Sequence, residues 1–312
     1  MKDLTILITG SKGQIGTELA NLLRTKYSRV ITSDIHPSEA GNPDYVQLNV
    51  LDKNRINEVI GDYKIDQIYH LAAILSAKGE ENPTLAWEVN LTGGLNILDA
   101  AVTQQVDRVF WPSSIAVFGP QTPKEQTPQH TITDPTTIYG ITKLAGERWG
   151  RHYYKKRGLD IRSLRYPGLI SYKAMPGGGT TDYAVEIFHE AIKHKCYTSF
   201  ISKDVRLPMM YMPDALRATV ELMEAPAEQI KIRSAYNVAG ITFSPDELAA
   251  EIRTKIPDFT IDYAPDFRDA IAHSWPSSIN DTQAFQDWGW KPEYDLKMMS
   301  EEMILELTKL LG

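Results

Sequence analysis

The chain has 312 residues, 42% of them apolar and 23% charged, the balance of an ordinary globular protein with a large core. A formal charge of −7, with no run of Lys or Arg against it, argues against a nucleic-acid surface. A single cysteine, Cys196, excludes an intrachain disulfide and a cysteine metal cluster; it reads as a small apolar core residue in a reducing, cytoplasmic setting.

The opening MKDLTILITG runs straight into a glycine loop without a cleavage site, so no targeting segment is expected. No stretch approaches the roughly 18 continuous apolar residues of a membrane span. LTILIT (4–9) predicts a strand, and in GQIGTELANLLRTKY the residues Ile15, Leu19, Leu22 and Leu23 recur at helical spacing. RVITSD (29–34) predicts the next strand, NRINEVIGDY a helix, and DQIYHLAA (66–73) a further strand. A long helix from Pro83 to Gln105 leads to the strand DRVFWPSS (107–114). A polar, proline-bearing loop (119–137) precedes a helix from Ile138 to Lys156 and the strand DIRSLRYPG (160–168). Such alternation implies α/β architecture, a Rossmann-type doubly wound parallel sheet, because parallel strands need long crossovers.

Beyond Gly168 the rhythm loosens. Helices near 182–195, 214–224, 245–255 and 297–311 are separated by short strand-like pieces such as VRLPMMYM and AYNVAG. The expected organisation is a nucleotide-binding domain over 1–168, with about 205–240 returning to it, and a smaller mixed α/β substrate lobe over most of 169–312.

Gly10, Gly13 and Gly16 lie between the first strand and its helix. Glycine there lets the backbone turn tightly and approach a pyrophosphate, whose charge meets the N–H groups of the helix N-terminus. Asp34 ends the next strand, where a carboxylate accepts from both ribose hydroxyls and repels a 2′-phosphate, so NAD is favoured over NADP.

In IYGITKLAGE, Tyr139 and Lys143 stand four apart on one helix face. A nearby ammonium is expected to lower the phenol pKa toward that of a working base. PSSIAVFG follows a strand, so Ser113 and Ser114 are both expected to point toward the cofactor, with a serine hydroxyl holding the substrate oxygen.

These motifs, in this order, resemble the extended branch of the short-chain dehydrogenase/reductase superfamily: GSKGQIG matches its glycine pattern, HLAA its cofactor-lining strand end, YGITK its active-site signature and DWGWKPEYDL its C-terminal segment. The resemblance implies Ser114 as catalytic serine, Tyr139 as acid/base and Lys143 as its partner. It assigns Gly10, Gly13, Gln14, Ile15, Gly16, Asp34, Ile35, Asn49, Val50, Leu71, Ala72, Ala73, Asn90, Tyr139, Lys143 and Tyr166 to NAD. Asn49 stands where the family often has aspartate. Many members act on nucleotide-sugars, so an epimerase or dehydratase is the alternative reading. The helices near 83–105 and 138–156 commonly build a dimer in this family, which implies a homodimer.

A second cradle, PGGGTTDY (176–183), puts Thr180, Thr181 and Asp182, all good N-cap types, before a helix. It suits a small carboxylate or simply caps the helix. Longer runs (SLRYPGLISYKAMPGGGTTDYAVEIFHEA, RLPMMYMPDALRATVELMEAP, YNVAGITFSPDELAAEI, AIAHSWPSSIND) resemble the short-chain L-threonine 3-dehydrogenases within that family. This implies NAD-dependent oxidation of the β-hydroxyl of L-threonine to 2-amino-3-ketobutyrate. It places Gly178, Thr180 and Thr181 at the amino-acid end, with Ser76, Ser114 and Tyr139 beside the reacting centre and Trp275 closing the pocket. Two readings stay open for three of them: Ser76 as contact or loop hydroxyl, Trp275 as contact or buried indole, Asp182 as ammonium partner or cap. HEAIKH (189–194) is not read as a metal site, because histidines five apart on a helix do not share a face.

Overall fold

The computed structural model describes residues 2–37, 42–173, 177 and 179–312. Contacts divide the chain into two compact units: Met1–Ser114, Thr137–Arg165 and Thr219–Tyr236 form the first, and Ile115–Thr136, Tyr166–Ala218 and Asn237–Gly312 the second.

The first half contains β1 (Lys2–Thr9), α1 (Gln14–Arg24), β2 (Tyr27–Asp34), β3 (Tyr45–Gln47), α2 (Lys53–Tyr63), β4 (Gln67–His70), α3 (Ser76–Glu81), α4 (Pro83–Trp87), a π-helical turn (Glu88–Gly93) and α5 (Gly94–Thr103). Then come β5 (Arg108–Phe110), β6 (Ser113–Ser114), α6 (Ile138–Arg157), β7 (Asp160–Arg162) and β8 (Leu164–Tyr166). The main sheet is parallel, in the order β3–β2–β1–β4–β5–β7. In its middle, Ile6, Leu7 and Ile8 are all fully buried. A continuous apolar run, rather than alternation, is what a strand covered on both faces requires. The chain winds outward one way from β1 and the other way from β4. The crevice at such a switch point is where doubly wound sheets bind ligands, and Gly10 and Leu71–Ala73 stand at its mouth.

Several elements differ from the sequence reading. The long helix begins at Pro83, capped by the Asn82 side chain on Leu85 N, but it loosens into a π turn before Gly94 and ends at Thr103. At that turn the two glycines have no room for a Cβ: one on Gly93 would lie 2.6 Å from Val50 Cγ2, and one on Gly94 2.3 Å from Trp111 Cζ2. The predicted strand 66–73 stops at His70, 107–114 splits into β5 and β6, and 160–168 breaks into three short pieces.

The remaining elements are β9 (Gly168–Ile170), α7 (Tyr183–His194), β10 (Cys196–Ser199), β11 (Leu207–Tyr211), α8 (Met212–Glu224), β12 (Tyr236–Asn237), β13 (Ile241–Phe243), α9 (Pro245–Arg253), β14 (Thr260–Tyr263), α10 (Phe267–Ser274), α11 (Thr282–Trp288) and α12 (Leu296–Leu311). In the second unit, β11 pairs antiparallel with β13 and parallel with β9, while β10 and β14 form a separate parallel pair. Helix α9 starts on a capping box, Glu247 N to Ser244 Oγ at 3.3 Å and Ser244 N to Glu247 Oε2 at 2.8 Å. Cys196 is exposed, not a core residue. β10 alternates, sending Tyr197 and Ser199 inward and Cys196 and Thr198 outward.

Residues 219–236 belong to the first unit, a narrower return than 205–240, and the physical tie is a buried cation. Arg162 on β7, fully buried, donates to the carbonyls of Leu222, Met223 and Ala225 at the C-terminal end of α8 and to Asp160 at 2.8 Å. Asp160 also pairs with Arg108 at 3.1 Å and with Arg233. The three guanidinium groups hold its carboxyl below the usual range although burial alone would raise it.

Candidate active site

The glycine loop fits a dinucleotide on its own geometry. Gly10 sits at φ +69°, and a Cβ there would lie 2.6 Å from Ala72 N. A Cβ on Gly16 would lie 2.4 Å from Gly10 O. Gly13 caps α1 without a side chain, and the first turn of α1 carries no acidic residue. The N–H groups of Gln14, Ile15 and Gly16 thus open an uncompensated positive helix end. At the end of β2 the Asp34 carboxylate is held from both sides, Oδ2 accepting from Lys12 N at 3.1 Å and Oδ1 from His36 N at 3.2 Å. Each oxygen keeps lone pairs for a vicinal diol. Ile35 beside it is exposed, Val50 is buried, and exposed Asn49 turns its Oδ1 back on Leu51 N at 3.0 Å. Leu71 continues the β1–β4 pairing through its N–H to Thr9 O at 3.0 Å. Tyr166 lies buried at the end of β8.

Asn90, in the π turn, gives its amide to the protein itself. Oδ1 accepts from Ile74 N at 2.7 Å, while Nδ2 donates to Ile74 O at 2.9 Å and Thr142 Oγ1 at 3.3 Å. Its part at the site is to fix the loop after β4, directly ahead of Ser76, which begins α3 and is buried.

Thr137 caps α6 by accepting from Gly140 N at 3.1 Å, which places Tyr139 in the first helical turn. Ser114 hydrogen-bonds the Tyr139 phenol. Lys143, one turn further, is buried; its Nζ lies 5.4 Å from the Tyr139 ring centroid and donates to Pro112 O at 2.8 Å. The expected lowering of the phenol by lysine is not what this geometry gives. Burial pushes the Tyr139 phenol up to about 12, with the Ser114 hydrogen bond pulling the other way, and burial brings Lys143 down to about 8.

Ser113 corrects another expectation. Ser114 bonds Tyr139, whereas Ser113 is tied two turns further along the same helix. Ser113 is buried and donates to Glu147 Oε1 at 2.7 Å. The sequence reading gave no part to Glu147, although it stands one turn beyond Lys143 on the same stripe. His70 opens the HLAA motif but has no role of its own in the sequence reading; it is buried beside Leu71–Ala73. His70 shares a 2.7 Å hydrogen bond with Thr9 Oγ1, and burial, then the Lys143 charge, hold its pKa down to about 3, so the ring is neutral.

In the second unit, Gly178 lies outside the described residues. Thr180 is buried, and Thr181 packs so closely that a Cβ on Gly168 would lie 2.6 Å from its Cγ2. Asp182 stands at the N-cap of α7 without making a side-chain cap; its Oδ2 accepts from Gly179 N at 2.6 Å. Trp275, 8% exposed, closes α10 and lines a cavity of about 480 Å³ with Lys124, Ser202, Lys203, Arg206 and Ser277. Among the described residues no group of three or more His, Cys, Asp or Glu is arranged to hold a metal, and no helix is long and apolar enough to cross a membrane.

A model of the NAD dependent epimerase/dehydratase family matches residues 6–239. An uncharacterized epimerase/dehydratase of Staphylococcus haemolyticus (strain JCSC1435) is 45% identical over 306 residues, covering 96% of either chain. The holo GalE-like L-threonine dehydrogenase of Cupriavidus necator is 53% identical, covering 97% of this chain and 99% of its own, with a TM-score of 0.95. A monomeric L-threonine 3-dehydrogenase from a metagenome, in its apo form, is 47% identical over 99% of this chain and 100% of its own, also with a TM-score of 0.95. Similarity of that extent, falling on a glycine loop and a carboxylate already shaped for a dinucleotide, means that the protein belongs to the NAD dependent epimerase/dehydratase family, in its extended short-chain dehydrogenase/reductase form, with NAD as cofactor.

Proposed function

We propose that the protein oxidises the β-hydroxyl of L-threonine to give 2-amino-3-ketobutyrate, with Ser114, Tyr139 and Lys143 as the catalytic residues. The observation that carries this reading is the Ser114–Tyr139 hydrogen bond with Lys143 one turn behind it. The L-threonine dehydrogenases at 47–53% identity support the choice of substrate over a nucleotide-sugar.

Ser114 Oγ holds the substrate oxygen and Tyr139 Oη takes its proton. The phenolate this requires is opposed by burial and favoured by two features, the Ser114 donor and the positive N-terminal end of α6, in whose first turn Tyr139 stands. Bound NAD supplies the acceptor for the carbon-bound hydrogen and its electron pair. Gly10, Gly13 and Gly16 with the first turn of α1 would hold its pyrophosphate, Asp34 its adenosine ribose, and the Leu71–Ile74 loop, fixed by Asn90, its nicotinamide end. The first unit thus serves NAD and carries Ser76, Ser114 and Tyr139 for the substrate, while in the second unit Thr180 and Thr181 would take the carboxylate and Trp275 would be a further substrate contact.

The exposed side chains of Leu85 and Trp87 on α4, and of Ile141, Trp149 and Tyr154 on α6, support a homodimer through these helices. Sedimentation at micromolar concentration is expected to give twice the chain mass. A monomer, as in the metagenome relative, removes that part. A cytoplasmic setting is consistent with the net charge and the single free thiol.

The substrate is tested by supplying NAD with either L-threonine or a UDP-sugar and following NADH and sugar configuration. NADH formed from L-threonine is the expected result. Epimerised UDP-sugar without any threonine turnover would transfer the assignment to the epimerases.

A further inference from the structure

Three consecutive residues at one strand end are tied to three successive turns of one helix. Ser114 bonds Tyr139, Pro112 O accepts from Lys143 Nζ at 2.8 Å, and Ser113 Oγ donates to Glu147 Oε1 at 2.7 Å. Residues 139, 143 and 147 form a single i, i+4 stripe on α6. The third tie has an anchor the others lack. Arg165 on β8 grips the same carboxylate with two parallel bonds, Nε to Oε1 and Nη2 to Oε2, both at 2.8 Å. The Glu147 side chain is fully buried and that of Arg165 is 5% exposed. A buried pair of this kind contributes little net stability against an apolar replacement, yet it fixes direction, because the planar fork admits one arrangement.

We propose that Glu147 and Arg165, acting through Ser113, are positioning residues that set the register of Ser114 against Tyr139. The proposal rests on the reading that Ser114 and Tyr139 carry the chemistry. Neither Glu147 nor Arg165 touches the reacting atoms; with Ser113 released, the strand end loses the one tie that Arg165 anchors and is held along the stripe only by its Lys143 and Tyr139 contacts. A displacement of about 1 Å at a reacting centre costs on the order of 100-fold in rate.

The test uses two variants of the full chain. Ser113→Ala cuts the link and leaves the Glu147–Arg165 pair intact. Glu147→Leu/Arg165→Met replaces the pair with apolar groups of similar volume, which keeps the fold without leaving one buried charge unmatched. Both are expected to melt close to wild type, bind NAD normally, and lose kcat by about 10- to 100-fold with KM for substrate little changed. A second readout needs no turnover. The ¹³Cζ resonance of Tyr139, identified by its loss in Tyr139→Phe, is expected to move in both variants of the ligand-free protein, because it senses the hydrogen bond from Ser114.

Wild-type kcat together with an unmoved resonance overturns the proposal. So does a kcat loss that merely follows a lowered melting temperature while the resonance stays in place. If wild-type protein oxidises no threonine, the substrate reading has failed instead, and a shifted resonance still supports the positioning role.

Discussion

Gly10→Ala is the sharpest probe of the cofactor loop, because the surroundings of this one position set the size of the effect. The backbone at Gly10 has φ +69°, which costs an L-residue about 1–2 kcal/mol. The new Cβ would meet Ala72 N at 2.6 Å, Ala72 Cα at 2.7 Å and Leu71 C at 2.8 Å. All three are main-chain atoms, so no rotamer change relieves them, and overpacking of this sort adds about 1–3 kcal/mol. The sum, about 2–5 kcal/mol, corresponds to roughly 30- to several-thousand-fold in an equilibrium constant. The loop can relieve the clash only by moving away from Leu71 and Ala72, the residues assigned to NAD. The expected result in a calorimetric titration is therefore NAD affinity lowered by at least about 30-fold, with a smaller change in melting temperature. Gly158→Ala is the matched control. It has φ +71° but nothing within 4 Å of a Cβ, so it meets the same backbone strain without the collision. It is expected to lower stability by about 1 kcal/mol and leave NAD binding intact. Wild-type NAD affinity in Gly10→Ala, or equal losses of affinity in both variants, would refute the reasoning.

Lys143 provides a test by pH. Burial lowers its pKa from 10.5 to about 8, so between these values the unfolded chain binds more protons than the folded one and stability rises with pH. The penalty is complete below about pH 8 and absent above 10.5. Lys143→Met should therefore melt above wild type below pH 8, with the gap closing on the alkaline side; a gap independent of pH contradicts the burial argument. Replacing both Thr180 and Thr181 with Ala is expected to raise KM for L-threonine about tenfold, a loss of about 1.4 kcal/mol, while KM for NAD stays put. Equal effects on both constants would point to a folding role.

The parts of the fold that were legible in the sequence are those that repeat. β1 and β2 are apolar runs with punctuation, and α1 carries its leucines at one spacing, so the parallel sheet could be read before any coordinate. The glycine loop was legible because its chemistry is local: a turn, a helix end and a carboxylate one strand away. What stayed hidden depends on partners distant in the chain. Glu147 on a helix reads as a solvated charge, and only the fold brings Arg165 to it. The π turn has no mark in a sequence without a proline between 84 and 93; it follows from the demands of Val50, Trp111 and Ile74 on Gly93, Gly94 and Asn90. Cys196 was misread because residue type suggests a core thiol, whereas an alternating strand at the surface decides which side faces water. The Tyr139–Lys143 pair was found by spacing, but spacing carries no information about burial, and burial sets both pKa values.

The central claim is that the Tyr139 hydroxyl takes the proton of the L-threonine β-hydroxyl. It is tested most directly by the initial rate of NADH formation from L-threonine in Tyr139→Phe, at a concentration of NAD shown by titration to saturate the variant. Because the ring and its packing are kept and only the acceptor oxygen is removed, the account predicts intact NAD affinity with a rate at least about 100-fold below wild type. A rate within a few-fold of wild type would contradict it.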